Sequence, residues 1–282
     1  MKLLTLYKET VKRLSSAKID ESAYEAGLLF EYVFSHSVSD IIINPELECE
    51  EENANELEEL TEKRISGMPL QYILGKWEFM GFEFEVGKGV LIPRSETEIL
   101  VEYAVNRLKN KKNPVVYDLC SGSGCIGLSI KKLLPEARVF MVEISDEAIF
   151  YLNKNRENLD LMRDACLIKG DVLKGYEAFS SLPIPDAIIS NPPYVRKDEI
   201  PFLQKEVGYE PEIALDGGED GLTFYRALSE KWLPYLNDDG FIAVECGEDQ
   251  ADYIADIFKA HCDKTEIIKD YSDIQRIVTG TK

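Results

Sequence analysis

The residues best equipped for chemistry stand in one short stretch, Asn191-Pro192-Pro193-Tyr194. They follow the apolar run Ala187-Ile188-Ile189-Ser190, which reads as a buried strand. Two consecutive prolines fix φ and remove two N–H donors, leaving carbonyls that can only accept. Asn191 adds a side-chain carbonyl and Tyr194 a flat face. The combination suits a planar –NH2 group, with two acceptors for its two hydrogens and a ring to stack on. The same residues would also make an ordinary strand-ending turn with a half-buried tyrosine, so the tetrapeptide alone leaves both readings open.

A second group of residues bears on the choice. Val115-Val116-Tyr117-Asp118-Leu119-Cys120 is an apolar strand running into Ser121-Gly122-Ser123-Gly124 and then a helix. Glycines there let the backbone turn tightly and approach a ligand with no Cβ in the way. Glu143 ends the next strand, where a carboxylate can accept the ribose hydroxyls of an adenosine, and Asp171 ends the third, where it can accept from an adenine amine. Any one of Asp118, Glu143 and Asp171 could be a strand-end cap, but three acids at successive strand ends fit an adenosine-bearing cofactor better. Gly122-Ser123-Gly124-Cys125-Ile126-Gly127 satisfies the dinucleotide pattern G-x-G-x-x-G, a weak signal when it stands alone. Asp118 inside the strand and an antiparallel final strand favour S-adenosylmethionine instead. Its sulfonium and methionine ends need carboxylate and backbone partners rather than a pyrophosphate cradle.

The elements that must position these residues follow from periodicity. Leu3, Leu6, Tyr7, Val11 and Leu14, then Ala23, Ala26, Leu29, Phe30 and Val33, recur at helical spacing. The acidic segment Glu46–Glu62 reads as a solvated helix with a stripe of Leu57, Leu60 and Ile65. Residues 1–67 thus form a small helical N-terminal domain. From Pro69, Gln71–Leu74, Trp77–Phe79 and Phe82–Val86 alternate between glycines, which predicts a β-hairpin linker over 68–94. Ser95, with Glu98 three residues on, predicts a capping box for the helix that follows. Residues 95–282 alternate strand and helix, which predicts an α/β domain with a mostly parallel sheet. The connection Asp270–Gln275 is too short for a parallel crossover, so the last two strands should pair antiparallel. Helices are expected over Cys125–Leu134, Asp146–Leu159, Thr223–Leu236 and Asp249–Ala260.

Composition excludes several classes. The 45% apolar content supports a substantial core. A net charge of −20 argues against binding nucleic acid directly, which calls for a basic face. Two histidines and six cysteines with no C-x-x-C pair predict no metal site. Cys120, Cys166 and Cys246 lie in apolar runs and are expected to be reduced core thiols. The charged N-terminal pattern is not a signal peptide, and no run reaches transmembrane length, so a soluble cytoplasmic protein with no membrane partner is expected.

Taken together, Asp118–Gly124, Glu143 and Asn191–Tyr194 resemble class I methyltransferases acting on planar nitrogens. Further segments narrow the match: Gly67-Met68-Pro69-Leu70-Gln71-Tyr72-Ile73-Leu74-Gly75, Val90–Glu98, Tyr209-Glu210-Pro211, Ala214–Leu222, and Glu245-Cys246-Gly247 with Gln250. These resemble the peptide chain release factor N5-glutamine methyltransferases (the PrmC/HemK family) over nearly the whole chain. The resemblance implies a seven-stranded Rossmann-like methyltransferase sheet whose last strand is antiparallel, and S-adenosylmethionine as donor with S-adenosylhomocysteine as product. It implies the glutamine of a Gly-Gly-Gln motif in bacterial class-1 release factors as acceptor. By position, Cys120, Ser121, Gly122, Ser123 and Gly124 would line the cofactor, Glu143 would hold its ribose and Val172 would lie against the adenine. Asn191, Pro192, Pro193 and Tyr194 would hold the acceptor amide. Three residues depart from the family pattern: Cys120 for glycine, Glu143 for aspartate and Ser95 for proline. Two rival readings are an N-methyltransferase acting on an exocyclic base amine and a dinucleotide-dependent oxidoreductase or nucleotide-binding module.

Overall fold

The helical periodicity of the first third of the chain becomes α1 (Leu3–Ser16), α2 (Ser22–Phe34), α3 (Val38–Ile43), α4 (Glu51–Ile65) and α5 (Leu70–Leu74) in a computed structural model that describes residues 1–282. Contacts divide the chain into two units, Met1–Gly75 with Gln204–Tyr209, and Lys76–Leu203 with Glu210–Lys282. In the first unit, Leu3, Leu14, Leu29, Phe30, Ile41 and Leu57 form the core. Arg64 of α4 is 4% exposed and binds Glu25 through Nε (2.5 Å) and Nη2 (3.0 Å), and Glu206 through Nη2 at 2.6 Å. A cation so buried requires such partners.

The run Gln71–Leu74 is not extended, as its place in the hairpin pattern suggested, but helical. Pro69 precedes α5 in an extended conformation and Gly75 ends it at φ 74°, donating its N–H to the Gln71 carbonyl. A short apolar run cannot by periodicity alone be told from a strand, and the burial of Leu70 and Ile73, three apart, decided for helix.

In the second unit, β1 (Lys76–Phe79) and β2 (Phe82–Glu85) make the expected hairpin. Its two turn residues, Met80 and Gly81, have φ of 54° and 75°, as a two-residue hairpin turn that follows the strand twist demands. Next come α6 (Glu96–Leu108), β3 (Val115–Leu119), α7 (Cys125–Leu133), β4 (Arg138–Glu143), α8 (Asp146–Asn158), β5 (Ala165–Lys169), β6 (Ala187–Ser190), α9 (Thr223–Lys231), β7 (Phe241–Glu245), α10 (Ala251–Phe258), β8 (Lys264–Lys269) and β9 (Gln275–Thr281). The capping box expected at α6 does not form: the Ser95 side chain caps nothing, and Glu98 accepts from the Met80 N–H at 2.6 Å. A hairpin-turn donor with no ladder partner took the carboxylate.

The sheet has seven strands in the order β5-β4-β3-β6-β7-β9-β8, with β9 antiparallel to both its neighbours and every other pairing parallel. Strand order reverses between β3 and β6, so a crevice must open outside their carboxyl ends. Alternate residues of β3 face opposite cores: Val115, Tyr117 and Leu119 join Trp232 and Tyr176, whereas Val116 joins Leu100, Ile126 and Met141. The helix expected to reach Leu236 stops at Lys231. Pro234 cannot continue it, and Leu233–Tyr235 form a separate 3-10 turn. Trp232 at the break is fully buried and donates Nε1–H to the Val172 carbonyl at 2.9 Å. Cys246 is buried as expected, but Cys166 is exposed because β5 is an edge strand. No helix is long and apolar enough to cross a membrane.

Candidate active site

A cavity of about 250 Å³ lies at that crevice within the second unit. Cys120, Ser121, Gly122 and Ser123 after β3, Glu143 at the end of β4, and Asp171 and Val172 after β5 line it, and Asn191 and Pro193 after β6 open on it too. So do Val90, Arg94 and Thr97 from the linker and the first turn of α6. Asp118, Gly124, Pro192 and Tyr194 lie outside the lining.

The turn after β3 is built on left-handed backbone at Cys120 (φ 61°), Gly122 (φ 53°) and Gly124 (φ 81°). Cys120 is thus an L-residue in a conformation that costs about 1–2 kcal/mol outside glycine. A Cβ on Gly122 would meet nothing nearer than Val90 Cγ2 at 3.9 Å, and both residues line the cavity, so the glycine leaves it room for a ligand. Glu143 fixes this turn to β4: Oε2 accepts from Gly122 N at 2.8 Å, while Oε1 accepts from Ile144 N at 2.8 Å and Ser145 N at 2.9 Å. Asp171 accepts from Leu173 N at 2.9 Å, capping a 3-10 turn that carries Val172.

Asp118 works beneath the turn rather than against a ligand. It points to the α7 side of the sheet, where Oδ2 accepts from Gly127 N at 2.9 Å. Burial pushes its carboxyl up to about 8. A Cβ on Gly127 would stand 2.7 Å from Met141 Cγ and 2.9 Å from Asp118 Oδ2, so the third glycine of the G-x-G-x-x-G run permits close helix–sheet approach. Burial suppresses the thiolate forms of the cysteines beside the cavity. Burial, then the charges of Glu143 and Asp118, push Cys120 well above the ordinary thiol range, and burial and Asp118 take Cys125 up to about 12.

The Asn191–Tyr194 stretch is braced by residues that spacing did not single out. Gln250 donates Nε2–H to the Tyr194 carbonyl at 2.9 Å while its Oε1 accepts from Gly247 N at 3.0 Å. Gly217 and Gly221 pack on the Tyr194 backbone so closely that a Cβ on either would come within 2.8 Å or less of it. Asn191 donates Nδ2–H to Thr97 Oγ1 at 3.3 Å, and Thr97 donates its hydroxyl to Glu245 Oε2 at 2.5 Å. Burial takes the Tyr194 hydroxyl up to about 12, so it stays protonated near neutrality. Glu210, 7% exposed, accepts from Ile92 N at 3.0 Å and from the Arg94 guanidinium, which holds the linker against the cavity. Only motif resemblance pointed to these residues. Most of their partners lie on other elements, from 56 residues away for Gln250 and Tyr194 to 148 for Thr97 and Glu245, beyond the reach of any local pattern.

Comparison with known proteins agrees with this architecture. Residues 5–75 match the PrmC N-terminal domain and residues 95–206 the methyltransferase small domain. The catalytic domain of hMettl16, solved in complex with the MAT2A 3'UTR hairpin 6, shares the fold with a TM-score of 0.59 at 14% identity, covering 82% of each chain. The release factor glutamine methyltransferase of Clostridium acetobutylicum is 39% identical over 261 residues, 92% of this chain and 90% of its own length. That of Aquifex aeolicus is 31% identical over 281 residues, 100% of this chain and 99% of its own. With likeness of that degree running through both units, the chain belongs to the release factor glutamine methyltransferase family.

Proposed function

We propose that the protein transfers a methyl group from S-adenosylmethionine to the side-chain amide nitrogen (N5) of the glutamine in the Gly-Gly-Gln motif of bacterial class-1 peptide chain release factors. The observation that carries this reading is the opening of Asn191 and of the β3–α7 turn on one cavity. The donor set fits the cofactor: a strand-end carboxylate, Glu143, for a diol, a missing Cβ at Gly122 that leaves room for a close approach, and Val172 as an apolar wall for a base. When bound, the cofactor would supply a methyl group made electrophilic by a sulfonium.

The remaining work falls to the chain. An amide nitrogen is a weak nucleophile because its lone pair is delocalised into the carbonyl, and its proton is too weakly acidic for a side chain to remove first. The site therefore works by positioning and charge. The Asn191 side-chain oxygen and the Pro192 carbonyl accept the two amide hydrogens, which aims the nitrogen and accommodates the positive charge that develops on it. Tyr194 stacks on the amide plane. Proton loss follows transfer. The helical N-terminal unit grips the release factor beyond its glutamine.

Incubation with labelled S-adenosylmethionine, a class-1 release factor, ribosomal RNA and DNA tests the assignment. Label on the release factor, lost when its Gly-Gly-Gln glutamine is replaced, is the expected result. Label on nucleic acid would replace this reading with methylation of a base amine, which the same tetrapeptide can hold.

A further inference from the structure

Two stretches that mark the chain's family resemblance, Val90–Glu98 and Glu245–Gln250, take no part in the chemistry above. The first reaches Asn191 through Thr97; the second reaches Tyr194 through Gln250 and Thr97 through Glu245. We propose that Thr97 and Glu245 are positioning residues that lock the Asn191 carboxamide with its carbonyl, not its –NH2, available to the acceptor nitrogen. The proposal rests on the function assigned above, in which that carbonyl accepts a substrate hydrogen.

The argument is one of hydrogen count. An ionised carboxylate can only accept, and a threonine hydroxyl owns a single hydrogen. With Thr97 Oγ1 2.5 Å from Glu245 Oε2, that hydrogen goes to Glu245. Thr97 Oγ1 can then only accept, and the group that meets it, 3.3 Å away, must be the donor end of Asn191. A carboxamide has one –NH2 and one carbonyl on opposite arms, so committing the first to Thr97 leaves the second for the cavity that Asn191 lines. The reverse orientation would turn two donors toward an acceptor nitrogen that needs acceptors.

The lock is anchored at both ends. Thr97 and Glu245 are each 2% exposed, in the first turn of α6 and at the last residue of β7. Tyr225 holds the β7 end by donating its hydroxyl to the Glu245 carbonyl at 2.8 Å. Burial pushes the Glu245 carboxyl up to about 7, against the pull of the Thr97 hydroxyl and Arg276; Glu96 adds to the rise and Arg94 opposes it. Tyr194, Tyr225, Cys125 and Cys246 are the remaining titratable neighbours, and burial holds all four in their neutral forms near pH 7. Once protonated, Glu245 can donate to Thr97 Oγ1, which frees the threonine hydrogen and loosens the lock. Turnover should therefore fall as pH drops through neutrality.

The test compares T97V, which keeps the shape and loses the oxygen, with T97S, which keeps the oxygen, and with E245Q, in the full-length enzyme acting on intact release factor. T97V is expected to lower kcat about tenfold or more, with S-adenosylmethionine affinity by calorimetry within about twofold of wild type. T97S should recover kcat to within about threefold. E245Q should lose the acid limb of the kcat–pH profile. Unchanged kcat in T97V, equal losses in T97V and T97S, or a loss of kcat that tracks cofactor affinity would each overturn the proposal. If the wild type labels nucleic acid instead, the substrate assignment fails, and the T97V and T97S comparison on that substrate still tests the lock, because an exocyclic amine makes the same demand of Asn191.

Discussion

In the proposed mechanism Asn191 and Pro192 offer the same kind of group to the acceptor, a carbonyl oxygen, but one is a side chain and the other backbone. Asn191→Ala removes its oxygen and should cut kcat by about 100-fold, the range seen when one preorganised hydrogen-bonding group is lost, with cofactor binding intact. Pro192→Ala keeps the carbonyl and should cost far less; equal losses in single-turnover assays would assign the effect to the φ restriction. Cys120 poses a conformational question at the same scale. Its φ of 61° suits glycine, tolerates an unbranched side chain at a cost, and excludes a β-branched one. Thermal unfolding should therefore rank Cys120→Gly above Cys120→Val, by about 1–2 kcal/mol or more. The reverse order would mean that packing of the thiol outweighs the backbone.

Elements meet this site through contacts that a single atom can spoil. The Cα of Gly127 stands where α7 presses on β3 and β4, and Gly127→Ala forces a methyl to 2.7 Å from Met141. Overpacking of that kind should cost about 1–3 kcal/mol in denaturant unfolding and displace the N-terminus of α7, next to the turn that lines the cavity. In the first unit, α4 is tied to α2 and to the segment Gln204–Tyr209 by Arg64. Arg64→Ala leaves Glu25 without its cation and should destabilise that unit by about 3 kcal/mol. If the unit grips the release factor, the same variant raises KM for the factor and leaves S-adenosylmethionine affinity alone, and a KM equal to that of wild type in a folded variant would remove that role. The periodicity of α1, α2 and α4 was legible because each buries a stripe of its own residues. The capping box that the spacing predicts at Ser95 does not form because Glu98 has a competitor, the Met80 N–H, that enters from another element.

For the molecule as a whole, burial of acids sets an unusual pH dependence. Asp118 and Glu245 titrate at about 8 and about 7 in the folded chain, above their ordinary values of 3.8 and 4.5. Between those limits the folded state holds protons that the unfolded chain has released, so these two groups make stability fall as pH rises from about 4 to about 8. Below that window the sign reverses for acids held low, such as Asp220 beside Arg226 at about 2, whose contribution is lost only in strong acid. Unfolding midpoints measured from pH 4 to 9 should decline on the alkaline side, and Asp118→Asn, neutral throughout, should flatten that decline. An unaltered slope in the variant would show that Asp118 is ionised in the fold. The alternation of strand and helix, the antiparallel last strand, the glycine turn after β3 and the strand-ending Asn-Pro-Pro-Tyr stretch were all determined by the sequence itself, because each depends on neighbours within a few residues. Only the tertiary structure decided that Asp118 supports the turn from below, that Gln71–Leu74 is helical, and that Thr97, Glu210, Glu245 and Gln250 surround the site. The contacts of Asp118, Thr97, Glu210, Glu245 and Gln250 join separate elements, from 9 residues apart for Gly127 and Asp118 to 148 for Thr97 and Glu245, and hydrogen bonds between elements leave no local period to read.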